Sequence, residues 1–372
     1  MMKLMNCTRC EVCAAAVNIY APLSFVHLSL LFRLLLEPIC TLGIILLTVA
    51  VYQTRALHFN ARLLLTCMTT SVAVSNIGIL IDAVYKLFIS FVLPEELRCE
   101  YQVFKPEYFF AIRGLHIIGG LELALSTLCL AAERAFATIT YATYEQNTRR
   151  WVGMSLLGIQ MVICFSTTFS IRPPPQFYPY VSPDTNNSKR STMAGNVLFA
   201  LNIAALIIFS VLYLINRRRK KILVDSQLRV LSTRFQLREN IATTRLMTPV
   251  MLVVALLTTS SQWVFYFHLP MLDEKTVVTS EVLEEVSHYA PYSEYQISLM
   301  PILTMMLIVL LPYFHIHIKR SFIRISHLKM CFPEPNTSID TITVDEARDL
   351  YFEKLNCQWQ QNAQRAHIYA NS

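Results

Sequence analysis

Charge and glycine are both scarce in this sequence. Only 15% of the 372 residues are charged and eight are glycines, whereas 54% are hydrophobic. A soluble domain has a charged fraction of roughly a quarter, so this composition argues against one. Glycine-rich phosphate loops, nucleophile elbows and zinc-protease histidine pairs are missing, and no catalytic domain, cofactor or metal is expected. The lack of an internal repeat weakens a transporter built from duplicated halves.

Long hydrophobic runs are what the sequence does contain. A helix that crosses a bilayer needs about 20 apolar residues. Seven runs of this order occur, at 25–52, 63–92, 108–132, 151–171, 195–215, 246–269 and 295–318. Each must be helical because the bilayer core offers no water to bond the backbone. We therefore predict an all-α membrane protein, a bundle of seven transmembrane helices. The first span is expected to be the insertion signal, since no signal-peptide pattern precedes it.

The basic residues predict which side of the membrane each connection faces. They are concentrated in "RRRKK", which follows the fifth span, and "KRSFIR", which follows the seventh. Cytoplasmic loops carry the excess of Lys and Arg, so the N-terminus is predicted outside and the C-terminus inside. The net charge of +7 then lies where anionic lipid and cytosolic partners are met, and does not indicate nucleic-acid binding.

This orientation divides the chain into four predicted parts: an extracellular N-terminus at 1–24, a receptor domain at 25–318, an amphipathic membrane-surface helix at 319–331 and a cytoplasmic tail at 332–372. Asn6 and Asn186 head glycan-acceptor motifs in predicted outer segments. A third such motif, at Asn336, falls in the predicted tail, so the motifs alone are weak support.

Ionisable residues inside the predicted spans are functional candidates because they are costly in lipid. They are Arg33, Glu37, Asp82, Arg113, His116 and Glu122. Arg33 and Arg113 are close enough to the span ends to reach the interface instead. Helical spacing puts Arg113 and His116 on one face, where they are predicted to line an outer ligand cavity with Asp82. Glu122 lies about half a turn around the helix from Arg113 and is expected to bond a neighbouring helix.

Aromatic residues crowd the outer end of the sixth span in "SSQWVFYFHLP". Trp263 and Tyr266 are candidates for the wall of a pocket for a small organic ligand. Both residue types also favour the membrane interface for physical reasons alone. The sequence leaves these two interpretations open.

The ten cysteines fall into two groups. Those within the spans are interpreted as packing residues. The outer ones are Cys7, Cys10, Cys13 and Cys99, among which a disulfide can form but cannot be assigned from sequence. Cys331 follows the basic amphipathic stretch "KRSFIRISHLKM", where it is a candidate for acylation or an unmodified interfacial thiol.

Glu133 and Arg134 lie together at the cytoplasmic end of the third predicted span. Most such pairs only stop a helix at the interface. Here "AAERAFATITYATYEQ", taken with "LSTRFQLRENIATTRLM", resembles the nematode serpentine chemoreceptors, most closely the class E (Sre) family. The residues that carry the resemblance are Glu133, Arg134, Ala137, Thr138, Tyr144, Glu145, Arg234, Phe235, Gln236, Glu239 and Asn240.

The resemblance implies a chemosensory receptor similar in architecture to rhodopsin-like G-protein-coupled receptors. Its implied partners are a small environmental ligand, odorant or pheromone-like, a heterotrimeric G protein and membrane lipid. Its implied location is the plasma membrane, sensory cilia included. Glu133, Arg134, Arg234, Gln236, Glu239 and Asn240 would act in G-protein coupling. The sequence departs from the wider pattern in two places: the seventh span has "LPYFHIHIKRSF" in place of Asn-Pro-x-x-Tyr, and the second outer loop lacks a cysteine.

Two other functions fit the residues. A transporter or ligand-gated channel would use Glu37, Asp82 and Glu122 along one water-filled path, and ligand-evoked current without usable G proteins would favour it. A seven-helix scaffold or trafficking protein would need no site.

If the receptor interpretation holds, outward movement of the sixth span would release Arg134 to meet its partner.

Overall fold

A computed structural model gives the architecture. It describes residues 9–55, 57–94, 97–98, 101, 106–140, 150–170, 179–180, 188–225, 231–272, 276 and 278–326. Within these, the side chains at 9–10, 106–111, 169–170, 220–225 and 231–239 are left out of the description. The chain divides into a unit Met1–Ile325 and a unit Ser326–Ser372, and the following description concerns the first.

The described residues are helical almost throughout. The helices are α1 (Arg9–Ile19), α2 (Phe25–Gln53), α3 (Phe59–Val92), α4 (Pro106–Ile139), α5 (Arg150–Ser170), α6 (Ser188–Asp225), α7 (Leu231–His268), α8 (Ser280–Phe314) and α9 (Ile316–Ile325). Seven of them, α2 to α8, are long and apolar enough to cross a membrane. The predicted all-α bundle of seven transmembrane helices is therefore confirmed.

Hydroxyl side chains cap the first turns of α2 and α8. The Ser24 hydroxyl accepts from the His27 amide at the start of α2, and the Thr279 hydroxyl accepts from the Val282 amide at the start of α8. These hydroxyls satisfy amide groups that lack a partner within the first turn of a helix. Leu23, just before the first cap, has a positive φ of 66°, which turns the chain from α1 into α2.

The helices form a closed ring with one member outside it. Each helix in the order α2, α3, α4, α6, α7, α8 contacts the next, and α8 contacts α2, which closes the ring. Helix α5 packs on the outside of α3 and α4. The main apolar core lies inside this ring. Large apolar side chains are exposed on its outer surface, among them Leu35 at 76% and Val162 at 66%. An apolar exterior of this kind is suited to lipid and not to water.

Several helix boundaries differ from the sequence prediction. The predicted basic loop between the fifth and sixth spans is largely helix, because α6 continues to Asp225 and α7 already begins at Leu231. The seventh span begins at Ser280, fifteen positions before the predicted start at 295. The predicted surface helix at 319–331 is α9, which begins earlier, at Ile316. Charged residues end an apolar run without ending a helix, and this explains the differences at α6, α7 and α8.

Candidate functional site

Polar side chains are concentrated at two opposite ends of the bundle. One end carries α1 and the segment 179–180, and we call it the α1 end. The other carries α9, whose Arg324 donates to Gln53 at the last residue of α2 (3.2 Å), and we call it the α9 end. Each end contains a buried network that joins helices distant in sequence.

The network at the α1 end is an ionic cluster, which consists of Arg33, Asp82, Lys86, Arg113, Tyr180 and Glu294. All six are at most 4% exposed, although four helices and a connecting segment supply them. The five helical members lie roughly 10–20 Å inside the ends of their helices at 1.5 Å per residue. Buried charges are tolerated only when they are paired, so the contacts within this cluster hold the α1 end of the bundle together.

Two carboxylates organise the ionic cluster. Asp82 of α3 lies 3.0 Å from Lys86 Nζ, 3.7 Å from Arg33 Nη1 and 3.9 Å from Arg113 Nε. Glu294 of α8 accepts from Lys86 Nζ at 2.8 Å and lies 3.3 Å from Arg113 Nη2. Arg33 also contacts Glu294 directly. Helices α2, α3, α4 and α8 therefore meet at these two acids.

Tyr180 brings the connection between α5 and α6 into the ionic cluster. Its hydroxyl accepts a hydrogen bond from Arg113 Nη2 and donates one to Glu294 Oε1, and the donor–acceptor distance is 2.8 Å in both. The Arg113 guanidinium also lies 5.1 Å from the centre of the Tyr180 ring, within cation–π range. The phenol thus lies among charged groups that it can both donate to and accept from.

Helix α1 packs over the same end of the bundle. Val12, Ala16, Ile19 and Tyr20 are buried in an apolar cluster with residues of α2, α3 and α8 and with Tyr180. Burial raises the pKa of the Tyr20 phenol above its ordinary range, and the charges of Arg113 and Asp82 act on it as well. Cys13 of α1 is disulfide-bonded. The ionic cluster therefore lies beneath this helix.

The sequence identified only part of the ionic cluster. Asp82 and Arg113 meet as expected, and Arg33 is paired inside the bundle instead of reaching the interface. His116 is not ion-paired there; its Nδ1 lies 2.8 Å from the Ser75 hydroxyl. Lys86 was missed, although its place four residues after Asp82 on the same helix face was a usable signal.

No comparable sequence pattern indicated that Glu294 and Tyr180 belong to the ionic cluster. Glu294 lies one position before the predicted seventh span, because the helix that contains it begins with several glutamates that precede the apolar run. Tyr180 lies in a connection without a periodic pattern. Both residues take their role from contacts with helices far away in sequence.

Trp263 and Tyr266 of α7 do not face the bundle interior. Trp263 and Tyr266 are each 70% exposed, and Trp263 packs edge-on against Phe267 with ring centres 5.3 Å apart. With this exposure Trp263 and Tyr266 suit the membrane interface, which tryptophan and tyrosine favour, and their place in a ligand pocket stays a prediction.

Glu122 makes the interhelical contacts expected of it. It accepts from Gln160 Nε2 of α5 at 2.7 Å and from the Cys67 thiol of α3 at 3.2 Å. Glu37 is also buried, but neither of its oxygens has a hydrogen-bond partner among the described residues. Glu122 therefore contacts α3 and α5, whereas Asp82 contacts charged groups of α2, α3 and α4.

The network at the α9 end centres on Arg134. Its guanidinium donates to both carboxylate oxygens of Glu133, at 2.5 and 2.6 Å, and both side chains are buried. Its Nη1 donates to Asn240 Oδ1 of α7 at 3.1 Å, and Asn240 Nδ2 donates in turn to the Ala137 carbonyl at 3.5 Å. We call Glu133, Arg134 and Asn240 the Arg134 network; it ties α4 directly to α7.

A second link at this end joins α4 to α6. Arg219 Nη1 donates to the Thr138 carbonyl at 2.6 Å, and Asn216 Nδ2 donates to the Thr138 hydroxyl at 3.3 Å. The last turn of α4 is therefore held between α6 and α7 by polar contacts. Because hydrogen bonds can exchange partners at little net cost, such an end can be rearranged without disrupting the apolar core.

Several predicted site residues fall outside this description. Arg234, Gln236 and Glu239 lie within α7, but their side chains are not among those described. Asn6, Asn186, Cys331, Cys7 and Cys99 lie outside the described residues, as does the side chain of Cys10. Their glycosylation, acylation, disulfide and coupling roles remain predictions.

The fold defines a membrane protein with seven spanning helices and a buried arginine at one end of the third. The chain matches the family described as "Serpentine type 7TM GPCR receptor class ab chemoreceptor" over residues 10–322. It therefore belongs to that family, and the expectation of a nematode serpentine chemoreceptor is confirmed.

Two relatives from Caenorhabditis elegans extend this finding. The chain is 27% identical to "Serpentine receptor class alpha/beta-14" over 276 residues, which are 71% of this chain and 68% of that receptor. It is 28% identical to "Serpentine receptor class epsilon-21" over 151 residues, 40% of this chain and 35% of that receptor. The likeness to a class E receptor is thus partial, and the matched family is class ab.

Proposed function

We propose that this protein is a plasma-membrane chemosensory receptor that binds a small environmental molecule at the α1 end and activates a heterotrimeric G protein at the α9 end. The proposal places the N-terminus outside the cell, as the distribution of Lys and Arg predicts. Sensory cilia are one plasma-membrane site that suits such a receptor. Membership in a chemoreceptor family supports the sensory role.

The observation that carries the proposal is the hydrogen bond from Arg134 to Asn240. It joins the third spanning helix to the sixth at the end opposite the ionic cluster. Movement of α7 away from α4 breaks this bond and leaves Arg134 with donors available to a protein partner. A ligand that binds better to the moved arrangement shifts the population toward it.

The long basic extensions of α6 and α7 are a second support for the α9 end as the surface where the G protein docks. Helix α6 continues through Arg217, Arg218 and Arg219 to Asp225, and α7 begins well before its apolar run. Rigid helices present charged groups to a partner with less loss of conformational entropy than a loop does. Arg234, Gln236 and Glu239 belong to this surface in the proposal.

The test measures nucleotide exchange on a panel of purified Gα subunits with the receptor in lipid nanodiscs. Asn240→Leu should raise exchange without added ligand, because it removes the acceptor that holds Arg134. Arg134→Ala should lower exchange to the level of empty nanodiscs while the protein still reaches the cell surface. The double variant should resemble Arg134→Ala.

Thr248→Ala is the matched control. Among the described residues its hydroxyl bonds only to the Thr244 carbonyl of the same helix, at 2.7 Å, so its loss should leave exchange unchanged. Equal exchange by the wild type, Asn240→Leu and Arg134→Ala on every Gα tested would count against coupling through this network. Ligand-evoked current in cells without usable G proteins would favour the channel alternative.

A further inference from the structure

We propose that Phe59, Arg62 and Arg150 bind the headgroup of an anionic phospholipid at the α9 end of the bundle, and we call these three residues the Phe59 site. The site is separate from the ionic cluster and from the Arg134 network. The inference goes beyond the receptor function proposed above, because lipid binding here requires neither the environmental ligand nor a G protein.

Two arginines meet at one aromatic ring in this site. The guanidinium carbon of Arg62 lies 6.0 Å from the centre of the Phe59 ring, and that of Arg150 lies 5.4 Å from it. Both distances are within cation–π range. Phe59 and Arg62 belong to the start of α3, and Arg150 is the first residue of α5. The ring therefore brings together two cations from separate helices.

Close packing of the two helix starts maintains this arrangement. A Cβ added to Gly153 of α5 would lie 2.8 Å from Asn60 Oδ1 and 3.1 Å from Asn60 Cα of α3. Asn60 itself is fully buried. The first turns of α3 and α5 are therefore in direct contact, and the Phe59 site is assembled without a ligand.

The charges of the two arginines are not compensated by any residue that the structure describes. Within the described part of the chain, neither Arg62 nor Arg150 forms an ion pair or a side-chain hydrogen bond. Glu133, a described carboxylate at the same end, is buried and bound by Arg134 instead. Two like charges at one ring repel each other, and an anion bound between them removes that cost.

The position of the site at the edge of the bundle favours lipid over a protein partner. Helix α5 packs outside the ring of helices, and Trp151, the neighbour of Arg150, is 62% exposed. Tryptophan favours the level of the lipid headgroups. The α9 end is predicted to be cytoplasmic, and the cytoplasmic leaflet carries the anionic lipids that attract nearby arginines.

Phosphate is the chemical group that suits two guanidinium groups. Arginine binds phosphate oxygens through parallel N–H donors. Helical spacing puts Met154 and Val162 on the side of α5 that carries Trp151, and both are exposed, so they can contact the acyl chains. Because this apolar contact adds to binding, a phospholipid should bind more tightly than a soluble phosphate.

Native mass spectrometry of the full chain, purified in detergent, measures the lipid that stays bound. The probes are phosphatidic acid, phosphatidylglycerol and phosphatidylcholine with the same acyl chains, and glycerol 3-phosphate as a phosphate without chains. Each nearby arginine strengthens the binding of an anionic lipid about fivefold. We therefore expect the two anionic lipids to bind about 25-fold more tightly than phosphatidylcholine, and glycerol 3-phosphate not to displace them.

Substitutions locate the bound lipid. Arg62→Gln combined with Arg150→Gln should weaken phosphatidylglycerol binding about 25-fold. Arg62→Lys combined with Arg150→Lys keeps both charges but loses the parallel donors, so it should retain part of the affinity. Both double variants should unfold at the wild-type temperature in phosphatidylcholine nanodiscs, since no described ion pair is broken.

Lys189→Gln is the matched control. It removes one positive charge from an exposed residue at the opposite, α1 end of the bundle, so phosphatidylglycerol binding should not change. Hydrogen exchange adds a second measurement. Phosphatidylglycerol should slow exchange of the backbone amides at the starts of α3 and α5 in the wild type and in Lys189→Gln, but not in the double glutamine variant.

Several outcomes would overturn the inference. These are equal binding of phosphatidylcholine and the anionic lipids, unchanged phosphatidylglycerol binding in the double glutamine variant, and displacement of lipid by glycerol 3-phosphate at the same concentration. Loss of Gα exchange by that variant in phosphatidylcholine nanodiscs, with lipid binding unchanged, would assign the two arginines to a protein partner. Lipid binding by a wild type that activates no Gα removes the coupling function and leaves the Phe59 site standing.

Discussion

Single positions in this bundle are constrained by how closely two helices approach. Gly119 of α4 faces α3, where a Cβ added to it would lie 2.5 Å from the Ser71 carbonyl oxygen and 2.7 Å from the Ser75 backbone nitrogen. Those atoms belong to a helix backbone and cannot move aside individually. The neighbouring Gly120 has open space around the same position. Substitutions at Gly119 and Gly120 therefore distinguish the effect of helix packing from the effect of helix propensity.

Gly119→Ala should lower the free energy of unfolding by about 1–3 kcal/mol, because overpacking forces α3 and α4 apart. Gly120→Ala should be neutral or stabilising, since alanine favours the helix over glycine by up to ~1 kcal/mol. Thermal unfolding of the two variants in nanodiscs provides the comparison. Equal loss of stability in both would mean that the close approach of α3 and α4 is not maintained in the membrane.

Whole elements differ in how they are held. Helix α1 has only 11 residues, too few to be stable alone in water, so its helical state depends on the surface it covers. Its buried residues Val12 and Ala16 lie one turn apart and face α8. The residues between them are more exposed. This helix can therefore be released from the bundle by one charge on its inner face.

Ala16→Glu should detach α1, because a lone carboxylate cannot be buried in the apolar cluster there. Ala14→Glu introduces the same residue two positions earlier on the exposed face, so α1 should stay in place. Hydrogen exchange of the backbone amides of α1 is the measurement. We expect faster exchange in the Ala16 variant only; unchanged exchange in both would show that α1 is not held by this face.

At the scale of the whole molecule, the unequal distribution of basic residues predicts how the chain is oriented in the membrane. An epitope at the N-terminus should be accessible on intact cells, and one at the C-terminus only after permeabilisation. Glycosidase treatment should increase mobility on a gel, and Asn6→Gln with Asn186→Gln should abolish that change, while Asn336→Gln should not. Two tags on the same side would contradict an odd number of spans and with it the receptor topology.

The likeness to other serpentine receptors also belongs to this scale. The Glu133-Arg134 pair and Asn240 lie far apart in the sequence. In the structure they meet, because Arg134 Nη1 donates to Asn240 Oδ1 at 3.1 Å. The sequence grouped them only through the family resemblance. Their contact gives that grouping a physical basis, since both residues hold the same pair of helices together.

Hydropathy alone determined the seven spans, because crossing lipid requires about 20 apolar residues whatever surrounds them. The same reasoning marked Asp82 and Arg113 as unusual. It gave wrong boundaries for α6, α7 and α8, where charged residues continue a helix beyond its apolar part. Periodicity also placed Glu122 against a neighbouring helix, where it contacts Gln160.

Only the tertiary structure decided which charges are paired. Lys86 and Glu294 are 208 positions apart, and no local pattern links them, yet their side chains lie 2.8 Å from each other. Trp263 and Tyr266 similarly received their outward orientation from the rotation of α7 in the bundle. The physical reason is that hydropathy is a property of each segment by itself, whereas ion pairing depends on which helices are neighbours and how each is rotated.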